Sequence, residues 1–142
     1  MIMLNIADAL TEQGMADIDI AHIYDFLTHY VYDDNSPDLT ALLRTNAAYR
    51  GFRCPFKELP QCRGWEPGFS NRYFTEDIPL GLCIYKVVAD IVNVATPTID
   101  KVIIWAQSHM GKENILNATL SGRDVIETSA LQRFGIHCVE QL

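Results

Sequence analysis

The stretch Asn71-Arg72-Tyr73-Phe74-Thr75-Glu76-Asp77-Ile78-Pro79-Leu80-Gly81-Leu82 places one guanidinium and two carboxylates directly ahead of a long apolar run. Proline is tolerated in a first helical turn, where its missing N–H is not needed, and it drives the preceding residue toward extended geometry. The stretch therefore predicts a helix that begins near Pro79, with Glu76 and Asp77 at its mouth. There the carboxylates would face the positive end of the helix dipole. Arg72, just upstream, would point into the same space.

Outward from that point the pattern is helical. Over residues 79–92, Leu80, Cys83, Ile84, Val87, Val88, Ile91 and Val92 leave Tyr85, Lys86 and Asp90 as the polar face. A helix apolar nearly all round is buried, so this one is expected to be the axis of a bundle. Thr96-Pro97 is a cap-plus-proline start and Gly111 a stop, with Ile99, Val102, Ile103 and Ala106 as an inward stripe and Trp105 beside it. Upstream, residues 3–13 read as a short amphipathic helix stopped by Gly14. A second helix is expected to be capped by Asp17 or Asp19 and to end before Asp33-Asp34-Asn35. A third runs over about 37–45, with Ser36 as cap and Pro37 in its first turn. Residues 47–71 break the pattern with three prolines and three glycines among aromatics, which predicts a long ordered loop packed over the site. In the tail, residues 124–134 read as helical, closed by Gly135. Strand patterns are weak, and the expected class is all-α: residues 1–142 as a single helical domain, a bundle around the buried central helix.

The 142 residues carry a formal charge of −7 and 49% hydrophobic side chains. An acidic chain without a Lys/Arg cluster argues against nucleic acid and anionic membrane surfaces. No apolar run approaches the roughly 18–20 residues of a membrane span, and the N-terminus lacks a basic leader segment. A cytoplasmic protein with reduced thiols is expected. Cys83 reads as buried within a helix, while Cys54 and Cys62 share a loop and could reach each other.

Several constellations are candidates for chemistry. Arg72 can grip a carboxylate in two parallel hydrogen bonds, that of a substrate or simply that of Asp77 in a salt bridge. Thr75 and Glu76 can bind substrate or cap the helix start. Tyr49 and Trp65 can wall a substrate pocket or merely pack. His22, His29, His109 and His137 have no metal-ligand spacing among themselves or with the cysteines. No GxGxxG dinucleotide fingerprint occurs.

The run from Arg72 to Leu82, followed by Ala95-Thr96-Pro97-Thr98-Ile99-Asp100, resembles the signature of the octopine/nopaline (opine) dehydrogenases, in their C-terminal, all-helical substrate domain. The resemblance is most specific over residues 46–111. It implies reductive condensation of an amino acid with a 2-oxo acid, dependent on NAD(P)H. It implies that Arg72 holds the oxo-acid carboxylate, usually that of pyruvate. It also implies that Asp77 orients a catalytic histidine and stabilises its imidazolium, as the Asp of a Ser-His-Asp triad does. None of the four histidines stands where that residue belongs. NAD or NADP would be bound by a Rossmann domain absent from this sequence. A fragment, one half of a split enzyme with a separate Rossmann-domain partner, and a stand-alone descendant are all open. So is a non-catalytic helical interaction or dimerisation module derived from the same domain. The hydrophobic composition, without the cover such a Rossmann domain provides, leads us to expect a homodimer, formed through residues 52–69 and through Tyr24 and Tyr30.

Overall fold

The structure, a computed structural model, describes residues 2–15, 19–32 and 36–142; the side chains of Tyr30, Val31, Tyr32 and Cys62 lie outside the description. The expected Asp17 cap, the helix end at Asp33-Asp34-Asn35, a contact through Tyr30 and a Cys54–Cys62 link therefore fall outside the described residues.

The helical class holds. Helix α1 (Ile2–Glu12) ends before Gly14, whose φ of +89° suits glycine. Helix α2 (Ile23–Phe26) starts later than expected and is not capped by Asp19. His22 takes that role, its Nδ1 accepting from Tyr24 N–H at 3.2 Å, and the helix continues as a wide turn over Leu27–Tyr32. Helix α3 (Leu39–Thr45) also starts two residues late, because Asp38 outcompetes Ser36 as cap by accepting from Ala41 N–H at 2.8 Å.

The stretch read as loop contains a turn at Ala47–Tyr49 and then a small antiparallel hairpin, β1 (Phe56–Glu58) and β2 (Trp65–Pro67), with Lys57 opposite Glu66. Three-residue strands are too short to show an alternating pattern, and Pro67 at the strand end conceals the second. Gly68 N–H donates to Pro55 O at 2.8 Å, and a Cβ at Gly68 would come within 3.2 Å of that oxygen.

The main correction concerns the quoted stretch. The helix begins at Arg72, not Pro79. Asn71 caps it, its Oδ1 accepting from Tyr73 N–H at 3.1 Å, and α4 (Arg72–Thr75) follows. The chain then passes through a π-helical turn, Asp77–Leu82, into α5 (Cys83–Ile91). A proline inside an α-helix clashes with the carbonyl four residues back; widening the turn relieves that clash. Cys83 N–H accordingly reaches Ile78 O, five residues back. Glu76 and Asp77 thus sit within a helical run and not at its positive mouth, and Thr75 does not cap the start.

Helix α5 joins two apolar clusters. One side packs Ile78, Cys83 and Val87 against Ile103 and Ala106 of α6 (Pro97–Met110) and against Ile115, Leu120 and Ala130 of the tail. The other side sets Ala89 and Val92 against Ile6 and Leu10 of α1. Lys86, expected on the polar face, is only 5% exposed. Its Nζ lies 2.6 Å from Asp90 Oδ1 and 3.5 Å from Asp100 Oδ1, and the buried Thr96 hydroxyl donates to Asp100 at 2.9 Å. The tail forms short 3-10 turns, Val125–Glu127 and Leu131–Phe134, the second ended by Gly135 at φ +78°; the expected continuous helix does not form.

Candidate functional site

The polar residues singled out in the sequence lie along one helical run but face different surroundings. Arg72 Nη2 stands 3.6 Å from Glu76 Oε2, one turn on, and both side chains are more than half exposed. Among the described residues no ion pair joins Arg72 to Asp77. Asp77 instead borders a recess of about 450 Å³ with Tyr73, Phe74, Gly81, Tyr85 and Val102. Arg72 is not in that wall. The π turn aims Asp77 here, on the side of the helix that meets Val102 of α6.

Thr75 borders a second cavity of about 260 Å³, with Pro79, Lys112, Asn114 and Asp124. Its hydroxyl donates back to Asn71 O at 3.4 Å. Asp124 Oδ2, in that wall, accepts from Glu113 N–H at 2.8 Å, which together with Arg123 holds the carboxyl below its ordinary range. Lys112 pairs with Glu127 at 2.5 Å.

Tyr49 and Trp65 do not wall either cavity. Trp65 is 65% exposed on β2. The hairpin region still touches the site helix, through Phe52 on Tyr73 with ring centres 6.2 Å apart and Phe69 on Phe74 at 4.7 Å. Phe69 also stacks on His109 at 4.6 Å and meets Trp105 edge-on at 5.2 Å. The sequence reading missed Tyr73, Tyr85 and this aromatic knot. The four-residue spacing of Trp105 and His109 was the available signal, since it puts both on one helical face.

The chemistry available is a carboxylate in a largely apolar recess, an exposed guanidinium one turn away, and aromatic walls. A carboxylate so placed can orient a cationic or N–H-bearing partner. The recess beside Asp77 does not fit a nicotinamide dinucleotide. The recess wall holds no Lys or Arg to meet a pyrophosphate, and the hairpin is not the parallel βαβ unit that cradles one.

A family model for the NAD/NADP octopine/nopaline dehydrogenase alpha-helical domain matches residues 3–110. The chain belongs to this family. Octopine dehydrogenase of Pecten maximus is 38% identical over 126 residues, covering 87% of this chain and 31% of that protein. An octopine dehydrogenase structure with NADH and L-arginine superposes with a TM-score of 0.84 at 35% identity, over 96% of this chain and 34% of the other. One with NADH and pyruvate does so at 0.79 and 34% identity, over 98% and 33%. The chain thus spans about a third of the length of these opine dehydrogenases, and it matches their helical part. Among the described residues no helix is long and apolar enough to cross a membrane.

Proposed function

We propose that this chain is the substrate domain of an opine-dehydrogenase-type oxidoreductase, which condenses an amino acid with a 2-oxo acid using NADH or NADPH in the cytoplasm. The supporting observation is the Arg72-to-Asp77 segment on a π-turned helix, within a family match that spans residues 3–110. Arg72 holds the oxo-acid carboxylate; its partnership with Glu76 is exposed and weak enough to be exchanged for a substrate. Asp77 orients a histidine supplied from outside these residues, and Thr75 and Glu76, on the same helical run, contact substrate. NAD or NADP is held by a separate dinucleotide-binding domain.

The test joins the chain to the dinucleotide-binding part of a relative and follows NADH consumption with pyruvate and a panel of amino acids. Amino-acid-dependent turnover is expected, and Asp77→Asn should lower kcat by about 100-fold or more. A folded fusion that binds NADH yet shows no turnover, or an Asp77→Asn variant with unchanged kcat, would count against this reading.

A second reading, a non-catalytic interaction module, draws on Phe56 and Trp65, which stand 55% and 65% exposed on the hairpin. On either reading the chain forms a dimer of moderate affinity. Light scattering at tens of micromolar should then give about twice 16.0 kDa, and a monomeric mass refutes the dimer.

A further inference from the structure

Seven of the eight glycines have a reason within the chain itself. Five adopt positive φ, and at Gly68 and Gly122 a Cβ would press on a backbone carbonyl. Gly81 has neither reason. Its φ is not left-handed, and a Cβ built on it meets no atom within 4 Å. It stands inside a helical run, where glycine costs stability relative to alanine. No contact among the described residues offsets that cost, so the missing side chain points to something outside the chain that needs the room.

Gly81 forms part of the recess that Asp77 borders, in a row of residues four apart: Tyr73, Asp77, Gly81 and Tyr85. Along a regular α-helix such residues drift by about 40° per step, which would carry the row off its face. The π turn over Asp77–Leu82 takes more than four residues to close, so it drifts the other way and straightens the row. The recess is therefore a trough along the helix, and its floor at Gly81 is bare backbone. Asp77 lies one turn away, about 6 Å along the axis. Its carboxylate has no ion-pair or hydrogen-bond partner among the described residues. Tyr73, Tyr85 and Val102 border the trough and are all exposed, so it opens outward.

We propose that Gly81 is a positioning residue: its bare backbone seats a flat cationic ring, an imidazolium carried by a second polypeptide surface, while that ring donates its N–H to Asp77. The occupant is cationic because the wall holds no Lys or Arg to balance Asp77. It bears an N–H because a carboxylate can only accept. It is flat because the room is that of one missing side chain on an otherwise filled helix face. A side chain at position 81 would lift the ring off the backbone and lengthen its hydrogen bond. Asp77 supplies the charge, and Gly81 sets how closely the ring approaches it. That the ring belongs to the reaction's histidine rests on the reading under Proposed function; the need for room at Gly81 does not.

Gly81→Ala and Gly81→Met, both better helix formers than glycine, are compared with the parent in the fusion to a relative's dinucleotide-binding part. We expect kcat to fall about tenfold with alanine and about a hundredfold with methionine, while KM for pyruvate moves less than about threefold. The limb of the pH–rate profile set by the ring should move to lower pH, because a ring held away from Asp77 loses the charge that raises its pKa. A loss equal for both variants, with that limb unmoved, would mean that Gly81 serves only as a hinge and would overturn the seat. Neither variant should lower the denaturation midpoint of the 142-residue chain; a drop in both would give Gly81 an internal structural role instead. The same chain, labelled with nitrogen-15, is titrated with imidazolium chloride at about pH 6, where the ring is charged. Backbone shifts are expected at Asp77, Gly81 and Tyr85, absent with tetramethylammonium and lost in Gly81→Met. Equal response to both cations, or equal kcat in all three fusions, would overturn the seat while leaving the dehydrogenase reading intact. Imidazolium shifts that Gly81→Met abolishes, in a chain whose fusion shows no turnover, would uphold the seat and remove the dehydrogenase reading instead.

Discussion

The helical run over residues 72–91 has two unlike halves. The first, through the π turn, carries Arg72, Glu76 and Asp77 in the open, with an ion pair whose partners are mostly solvated. The second is a regular α-helix with Cys83, Val87 and Ala89 buried, and its ion pair sets a buried Lys86 ammonium between Asp90 and Asp100. Arg72–Glu76 and Lys86–Asp90 each join residues four apart, so the spacing along the helix is the same. What differs is solvent. An exposed pair gains little because water competes for both partners, whereas a buried ammonium must be paired or it destabilises the fold. One half is therefore built to exchange partners and the other to keep them, and the π turn is the joint that lets a single helix do both.

That contrast breaks first at Lys86. Lys86→Met leaves Asp100 without its ammonium in a poorly solvated position, and chemical denaturation should show a loss of about 2–4 kcal/mol. A loss below about 1 kcal/mol would mean that the enclosed pair is no stronger than the open one. The next effect is a pH dependence. Burial pushes the Cys83 thiol up from 9.0 to about 11. A pKa raised by folding means that the folded state holds its proton more tightly. The contribution is therefore complete below pH 9 and is lost as pH rises toward 11, by up to about 2 kcal/mol. Cys83→Ala should flatten the decline between pH 9 and 11. Smaller again is the cap: Asn71→Ala should cost about 1 kcal/mol and fray the first half alone, visible as faster amide exchange at Tyr73 and Phe74. Smallest is Glu76→Gln, expected to change stability by less than about 0.5 kcal/mol. A larger loss would show that the open half is structural after all.

Much of the fold was legible because the signals were local. The apolar spacing of α5, the Thr96-Pro97 start and the Gly111 stop of α6, at φ +66°, each depend on a few neighbouring residues. The start of the site helix was not legible, because two local rules conflicted. Pro79 marks a first turn by propensity, whereas Asn71 offers a side-chain cap eight residues earlier. The cap prevailed because a widened turn accommodates the ring. Lys86 escaped for a different reason. Its partner Asp100 belongs to the next helix, and a lysine among apolar neighbours is read as solvated until the second carboxylate is seen. Of the site, the Arg72-to-Asp77 segment was readable as a motif, but the division of Asp77 and Thr75 between separate cavities follows from the turn geometry.

The tail bears on where this folding unit can be cut. The family match stops at residue 110, yet Ile115, Leu120 and Ala130 complete the apolar cluster around Ile103 and Cys83. Gln107 fastens the tail in three places: its Oε1 accepts from Asn114 and Ile115 N–H at 2.8 and 2.9 Å, and its Nε2 donates to Ile115 O at 3.0 Å. Farther along, Ser129 N–H donates to Pro79 O at 3.1 Å, so the tail reaches back to the π turn itself. At Gly122 a Cβ would fall 2.1 Å from Glu113 O, so any side chain there pries the tail loose. A truncation drawn at residue 110, where the family model ends, would thus strip the wall from the core and a clasp from the bend that presents Asp77. The smallest portable version of this module has to extend beyond Ala130, and the same bound applies to any chimera that grafts its recess onto another protein.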